Sequence, residues 1–169
     1  MFVTRRAFVG VGAAVGVSYL AARGVTRLAG APLRASAQSA GRDARLASVD
    51  GRLDVDLVAS EDWVDLADGR ARLWSFNGQI PGPLLEAVPG DEVRIRLTNH
   101  LDESTNLHFH GLHVPPTGTA DNIFLEVPPG EVASYAFRIP EHHPAGLFWL
   151  HPHLHGSVAR QVSRGLAAP

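Results

Sequence analysis

Short alternations of apolar and polar residues, broken by glycine and proline, set the strongest constraint on the fold of this 169-residue chain. Four stretches show the alternation: residues 53–57, 70–75, 92–98 and 133–139. Successive side chains of a strand point to opposite faces, so each stretch predicts a half-buried β-strand. Turn-forming pairs such as Asn77-Gly78 and Pro129-Gly130 lie between the stretches. The pattern predicts an all-β, antiparallel β-sandwich, with one short helix at residues 157–166.

The first 37 residues have the features of an export signal. The pair Arg5-Arg6 precedes an uncharged apolar run at residues 7–22, which is shorter than the ~20 residues that a membrane span needs. Ala35-Ser36-Ala37 then offers a cleavage site between small residues. We therefore expect a twin-arginine-type signal peptide at 1–37 and export to the periplasm or beyond, with an uncleaved anchor as the alternative. Residues 38–49 are expected to be a flexible segment, and 50–169 the folded domain.

Charge and cysteine content exclude several functions. Five of the 15 basic residues lie in the signal segment, whereas all 17 acidic residues follow it, so the exported chain is acidic. An acidic chain without a basic run is a poor candidate for binding nucleic acid or an anionic membrane, and no stable membrane span is expected after cleavage. The chain has no cysteine, so it forms no disulfide, and nitrogen or oxygen must hold any bound metal.

Two His-x-His pairs carry the clearest chemistry of the sequence. His108 and His110 form one pair, and His151 and His153 form the other. In a strand, residues i and i+2 share a face at a spacing of about 6–7 Å, so each pair can clamp a metal ion. Imidazole suits both copper and zinc, and four buried imidazoles without a metal would need other partners.

The other histidines and the apolar neighbours of the pairs have simpler interpretations. His100, His142, His143, His113 and His155 are each expected to be ordinary rather than ligating residues. Apolar residues beside the paired histidines are expected to face the core: Leu107, Phe109, Leu147 and Trp149.

Several motifs around the histidines occur together in a known order. They are Asn77-Gly78-Gln79-Ile80-Pro81-Gly82-Pro83, Gly90-Asp91, Asn99, His108-Phe109-His110-Gly111-Leu112, Val127-Pro128-Pro129-Gly130, the run from Gly146 to His153, Gln161 and Gly165-Leu166. With these motifs, nearly all of the chain after the signal segment resembles the multicopper oxidase family, in particular the N-terminal plastocyanin-like domain of laccase-like and copper-efflux oxidases. The resemblance implies a Greek-key, cupredoxin-like sandwich and copper as the cofactor.

The resemblance also implies individual roles. His108 matches a ligand of the type 2 copper, and His110, His151 and His153 match ligands of the type 3 pair. Asp121 matches an acid that assists proton delivery when oxygen is reduced. From the local sequence alone, Asp121 with Asn122 is also consistent with an Asp-Asn turn in a loop.

The chain departs from the family in ways that bear on activity. The type 1 copper of such enzymes has a cysteine ligand, which this chain lacks, and the later histidine motifs are absent. We therefore expect a truncated domain without its last strand, inactive as an oxidase alone. Its expected partners are copper ions, O₂ and the missing C-terminal cupredoxin domains or a partner chain. A stand-alone exported copper-binding module and a zinc-dependent hydrolase remain the alternatives.

Overall fold

The computed structural model describes residues 45–169, so the predicted signal segment lies outside the described residues. The elements in this part are β1 (Arg45–Ala47), β2 (Arg52–Leu66), β3 (Gly69–Phe76), β4 (Leu84–Glu86), β5 (Glu92–Asn99), β6 (His108–His110), β7 (Val132–Arg138), β8 (Trp149–His151) and α1 (Val158–Ser163). This succession of strands agrees with the predicted sandwich. β1 lies inside the stretch 38–49 that was expected to be flexible, so the end of that stretch is a strand.

The larger sheet has four strands in the order β3-β2-β5-β7. β2 pairs with β3, and β5 with β7, in antiparallel fashion, whereas β2 and β5 are parallel, with Leu53 opposite Val93 and Leu57 opposite Leu97. The sheet is therefore mixed rather than purely antiparallel. Alternation along a strand reports which face is buried and carries no information about the direction of the neighbouring strand.

Two smaller pairings lie over the apolar face of this sheet. β1 pairs with β4 in parallel, and β6 pairs with β8 in antiparallel fashion. The buried residues of both layers form one core, which includes Leu57, Phe76, Ile95, Leu97, Leu107, Phe109, Tyr135 and Leu150. Full burial of one such side chain contributes about 1.5–3 kcal/mol. This core is the support on which β6 and β8, the two histidine strands, rest.

Polar side chains hold the segment that leads into β6 by hydrogen bonds. The hydroxyl oxygen of Tyr135 on β7 accepts a hydrogen bond from the Leu107 backbone N–H at 3.0 Å. Gln161 of α1 is fully buried, accepts a hydrogen bond from the Thr105 hydroxyl and donates to the Ser104 carbonyl, both at 2.8 Å. The observed helix lies within the predicted range 157–166. Its hydrogen bonds through Gln161 hold the segment that precedes β6. Among residues 45–169, no helix is long and apolar enough to cross a bilayer.

A buried carboxylate at the start of β5 gives a prediction for acid stability. Hydrogen bonds from the Ser48 side chain and then from the Val88 backbone N–H, the latter at 2.8 Å, lower the pKa of Asp91. A lowered folded-state pKa stabilises the fold above the unfolded-state value and loses that contribution as pH falls through the folded-state value. We expect Asp91→Asn to cost about 1–2 kcal/mol at neutral pH, with the difference from wild type shrinking below about pH 4.

Urea denaturation at a series of pH values measures this difference. Asp68→Asn, in the exposed turn between β2 and β3, is the matched control because it makes the same change in charge. A constant difference between Asp91→Asn and wild type from neutral to acid pH would contradict the assignment.

Candidate metal centre

The register of β6 with β8 collects the histidines on one face. His108 lies opposite His151, and His110 lies opposite Trp149. Phe109 and Leu150, the pair between them, are both 4% exposed and face the core. Since side chains alternate, the imidazoles project from the other side of this two-stranded sheet.

The imidazoles are close enough to share metal ligation. The ring of His108 lies 5.5 Å from that of His110 and 5.2 Å from that of His151, measured between centroids. The Nε2 atom of His151 and the Nδ1 atom of His110 are 3.4 Å apart. One ligand atom from each of these three residues lies within 4.8 Å of the other two. His153, just beyond the end of β8, has its ring 5.1 Å from that of His108.

Hydrogen bonds from outside the cluster orient two of the rings. The Nδ1 atom of His108 lies 2.9 Å and 3.0 Å from the two carboxylate oxygens of Asp121. The Nδ1 atom of His151 lies 2.9 Å from the carbonyl oxygen of Pro152. A carboxylate or carbonyl oxygen can only accept, so each Nδ1 carries the proton and each Nε2 presents a lone pair. This arrangement is the usual one for metal-binding histidines, and the donor set fits an imidazole-ligated ion.

Asp121 and Asn106 hold the backbone of the two histidine segments. Asp121 is 9% exposed and also accepts a hydrogen bond from the Phe109 backbone N–H at 2.8 Å, inside β6. The Asn106 side chain accepts a hydrogen bond from the His153 N–H at 2.6 Å and donates to the Ile123 carbonyl at 2.7 Å. Asn106 is fully buried, and the sequence interpretation did not assign it a role. Its position two residues before His108 was the available signal.

Trp149 and Leu147 differ from their predicted positions. Both were expected in the core, but Leu147 is 84% exposed and Trp149 is 39% exposed. The Trp149 ring stacks on His151, with centroids 4.0 Å apart, and also lies 5.3 Å from His110. Trp149 therefore lies on the histidine face because it is two residues from His151, and alternation places i and i+2 on the same side.

His143, His142 and His155 lie outside the two His-x-His pairs. His143 is buried, its Nε2 accepts a hydrogen bond from the His113 backbone N–H at 3.0 Å, and its Nδ1 lies 2.9 Å from the Pro144 carbonyl. Both ring nitrogens of His143 are therefore occupied. His142 and His155 are exposed. The group of three histidines that could hold a metal, which consists of His108, His110 and His151, includes none of these residues.

The environment of His151 favours neutral imidazole. Burial lowers the pKa of His151, the most buried of the paired histidines, and the neighbouring imidazoles His108, His110 and His153 lower it further. A neutral imidazole is the form that ligates metals. The surroundings of His151 thus favour the ligating form of this residue.

Removal of the Asp121 charge should weaken metal binding. In Asp121→Asn, the carboxylate that accepts the His108 Nδ1–H and the Phe109 N–H becomes an amide with a single acceptor oxygen. We expect copper affinity to fall about 10–100-fold, the usual effect of changing such a partner. Competition titration against a chelator measures the affinity, with Asp102→Asn, an exposed carboxylate, as control. Equal affinities for the two variants would contradict this role.

Comparisons with known proteins place the chain among copper oxidases. The family model described as "Multicopper oxidase" matches residues 58–169. Copper resistance protein A of Pseudomonas syringae pv. tomato is 35% identical over 139 residues, which cover 81% of this chain and 22% of that protein. Multicopper oxidase MmcO of Mycobacterium tuberculosis is 31% identical over 169 residues, which cover 98% of this chain and 32% of that protein.

Solved structures give the same result. A multicopper oxidase from Campylobacter jejuni, described as a metallo-oxidase, superposes with a TM-score of 0.64 at 31% identity, covering 75% of this chain and 27% of that one. A laccase from Pediococcus acidilactici superposes with a TM-score of 0.66 at 31% identity, covering 84% of this chain and 31% of that one. The chain therefore spans between about a fifth and a third of the length of these relatives.

Proposed function

Because the chain belongs to the multicopper oxidase family, we propose that it is the N-terminal cupredoxin domain of such an enzyme and supplies half of a trinuclear copper site. The observation that carries the proposal is the set of three imidazoles, from His108, His110 and His151, whose ligand atoms lie within 4.8 Å of one another. In this proposal the histidine face of β6 and β8 is the surface at which O₂ is reduced to water. The electrons come from a substrate oxidised elsewhere in the complete enzyme.

Each histidine has a role in this proposal. His108 would hold the type 2 copper, and His110, His151 and His153 would hold the type 3 pair. Imidazole nitrogens suit this metal, and they add no charge to the site. Bound copper would supply the one-electron redox chemistry that the side chains of this domain lack.

The protein groups around the histidines orient the ligands and handle protons. Asp121 keeps the proton of His108 on Nδ1, which leaves Nε2 free for the metal. The Phe109 N–H fixes one oxygen of the same carboxylate, so the group cannot turn away from His108. We propose that Asp121, 9% exposed, also passes protons toward the site during oxygen reduction. Trp149 stacks on His151 and shields one face of that ring from water.

Electron entry must come from outside this chain. The type 1 copper site of a multicopper oxidase needs a cysteine thiolate, and the sequence contains none. The chain also covers only a fraction of its relatives' length. We therefore propose that oxidase activity requires further cupredoxin domains, either continuous in sequence with this domain or supplied by a partner chain. We also propose that the protein is exported, as the features of residues 1–37 indicate.

Divalent copper binds most nitrogen sites more tightly than zinc, so metal affinity alone cannot separate the oxidase domain from a copper-binding module or a zinc hydrolase. Reconstitution of activity is therefore the decisive experiment. The purified copper-loaded chain should show no turnover of a phenolic donor. Addition of a polypeptide that carries the cysteine-containing cupredoxin domain should produce O₂ consumption. The His108→Ala variant in the same mixture is the control and should produce none.

Two results would contradict the proposal. Copper binding with no activity in any reconstituted mixture would favour a copper-sequestering module. Hydrolysis of an ester or peptide by the zinc-loaded chain would favour the hydrolase alternative.

A further inference from the structure

Asn106 is a fully buried amide that connects three segments of the metal centre. It lies two residues before His108 in the chain. Its Oδ1 atom accepts the backbone N–H of His153 at 2.6 Å, and its Nδ2 atom donates to the Ile123 carbonyl at 2.7 Å. Ile123 lies in the loop that carries Asp121. One side chain therefore joins this loop, the segment before β6 and the segment after β8.

The two partners of Asn106 require an amide at this position. A backbone N–H can only donate and a backbone carbonyl can only accept, so the side chain must offer an acceptor to one and a donor to the other. A carboxylate would accept from His153 but could not donate to the Ile123 carbonyl. An aliphatic side chain would leave both backbone groups without these partners. The orientation of the Asn106 amide is therefore fixed by the groups that it contacts.

The hydrogen bond from Asn106 continues the pairing of β6 with β8 beyond the end of the two strands. His108 lies opposite His151, so the same register carried two residues further places Asn106 opposite His153. Pro152 precedes His153 and has no N–H to give to a ladder. In the described part of the chain, the Asn106 side chain is the only group that forms a hydrogen bond with the backbone or the ring of His153. The position of His153 therefore depends on this one amide.

We propose that Asn106 is a positioning residue, whose amide holds His153 in place as the fourth imidazole of the metal centre. The other three histidines, His108, His110 and His151, already have ligand atoms within 4.8 Å of one another. The ring of His153 lies 5.1 Å from that of His108 and 6.1 Å from that of His151, between centroids. Asn106 thus decides whether three or four imidazoles face the metal. This inference rests on the proposed function, because it takes His153 to be a copper ligand.

A double-mutant cycle in copper affinity tests whether Asn106 acts through His153. We expect Asn106→Ala to weaken copper binding about tenfold, within the usual range for a group that orients a metal ligand. In the His153→Ala background, the same change should alter the affinity by less than about twofold, because the imidazole on which Asn106 acts is already absent. Competition titration against a chelator gives the four affinities of the cycle.

EPR of the copper-loaded variants separates positioning from a general loss of structure. Copper-loaded Asn106→Ala should give the spectrum of His153→Ala, because both variants lose the same ligand. A variant that is only less stable would keep the wild-type spectrum in its folded fraction. Asn106→Ser is the second variant, since its small polar side chain leaves room for water at the freed backbone groups and so favours folding. Its hydroxyl is too short to reach the His153 N–H, so the same loss of affinity is expected.

Asn99→Ala is the matched control, because it also removes a fully buried amide that bonds only to backbone groups. The partners of Asn99 are the Leu101 N–H and the carbonyls of Glu103 and Val127, none of which belongs to a histidine pair. This variant should leave the copper spectrum unchanged.

Two kinds of result would overturn the inference, and they differ in what they say about the proposed function. If His153→Ala weakens copper binding but Asn106→Ala does not, or if Asn106→Ala causes an equal loss in both backgrounds, the inference fails and His153 remains a ligand. If His153→Ala binds copper as tightly as the wild type, the inference fails together with the role proposed for His153.

Discussion

Replacing His108 and His151 together by alanine should reduce copper affinity by about a thousandfold or more, equivalent to about 4 kcal/mol. The two residues are the cross-strand pair of β6 and β8, and each directs a hydrogen-bonded Nδ1 away from the cluster. Their loss leaves only His110 and His153 of the four paired histidines. Metal analysis after gel filtration and EPR of the copper-loaded chain measure the result.

The control for this prediction removes as many histidines from elsewhere. His142→Ala combined with His155→Ala changes two exposed residues and should leave copper binding unaltered. Since His151 is 5% exposed and its removal affects packing, His110→Ala serves as a second variant. His110 is exposed, and its loss should weaken binding without changing the circular dichroism spectrum. Copper binding that survives in both variants would contradict the site.

Gly165→Ala should destabilise the fold by about 3 kcal/mol or more. Gly165 follows α1 with a φ of +121°, and its N–H and that of Leu166 bond to the Val162 and Gln161 carbonyls in a Schellman arrangement. A Cβ atom there would lie 2.4 Å from the Trp74 carbonyl oxygen and 2.4 Å from Ile80 Cδ1. Backbone strain and a steric clash therefore add, and the clash involves a main-chain atom that cannot move aside.

Gly51→Ala separates these two contributions. Gly51 also has a positive φ, +77°, but nothing lies within 4 Å of the position its Cβ would take. We expect Gly51→Ala to cost only about 1–2 kcal/mol, the strain of a left-handed residue. Urea denaturation of the two variants gives both values. Equal destabilisation would show that the close packing of Gly165 against Trp74 and Ile80 contributes nothing.

Local periodicity was sufficient for much of the fold. Alternation in residues 92–98 and 133–139 predicted β5 and β7, and the predicted helix at residues 157–166 contains the observed α1. The parallel pairing of β2 with β5 was not predictable in this way, because an alternating strand buries the same face whichever way its neighbour runs.

The burial of side chains near the strand ends was also not predictable from the local sequence pattern. Leu147 was expected in the core because it is apolar, but it lies just before β8 and its side chain is 84% exposed. His143 gave no sequence signal for burial, yet both its ring nitrogens are hydrogen-bonded inside the fold. Residues in loops do not alternate between two faces as strand residues do, so the residue type alone does not predict whether a loop side chain is buried.

The sequence by itself predicted that His108 and His110, and separately His151 and His153, lie on the same side of their segments, because alternation over two residues is a local property of the backbone. Only the tertiary structure decided that His108 faces His151, that His110 and His151 approach to 3.4 Å, and that Asp121 bonds to His108. The last two contacts join residues 41 and 13 positions apart, and all three depend on strand register and loop path, which the shared core fixes.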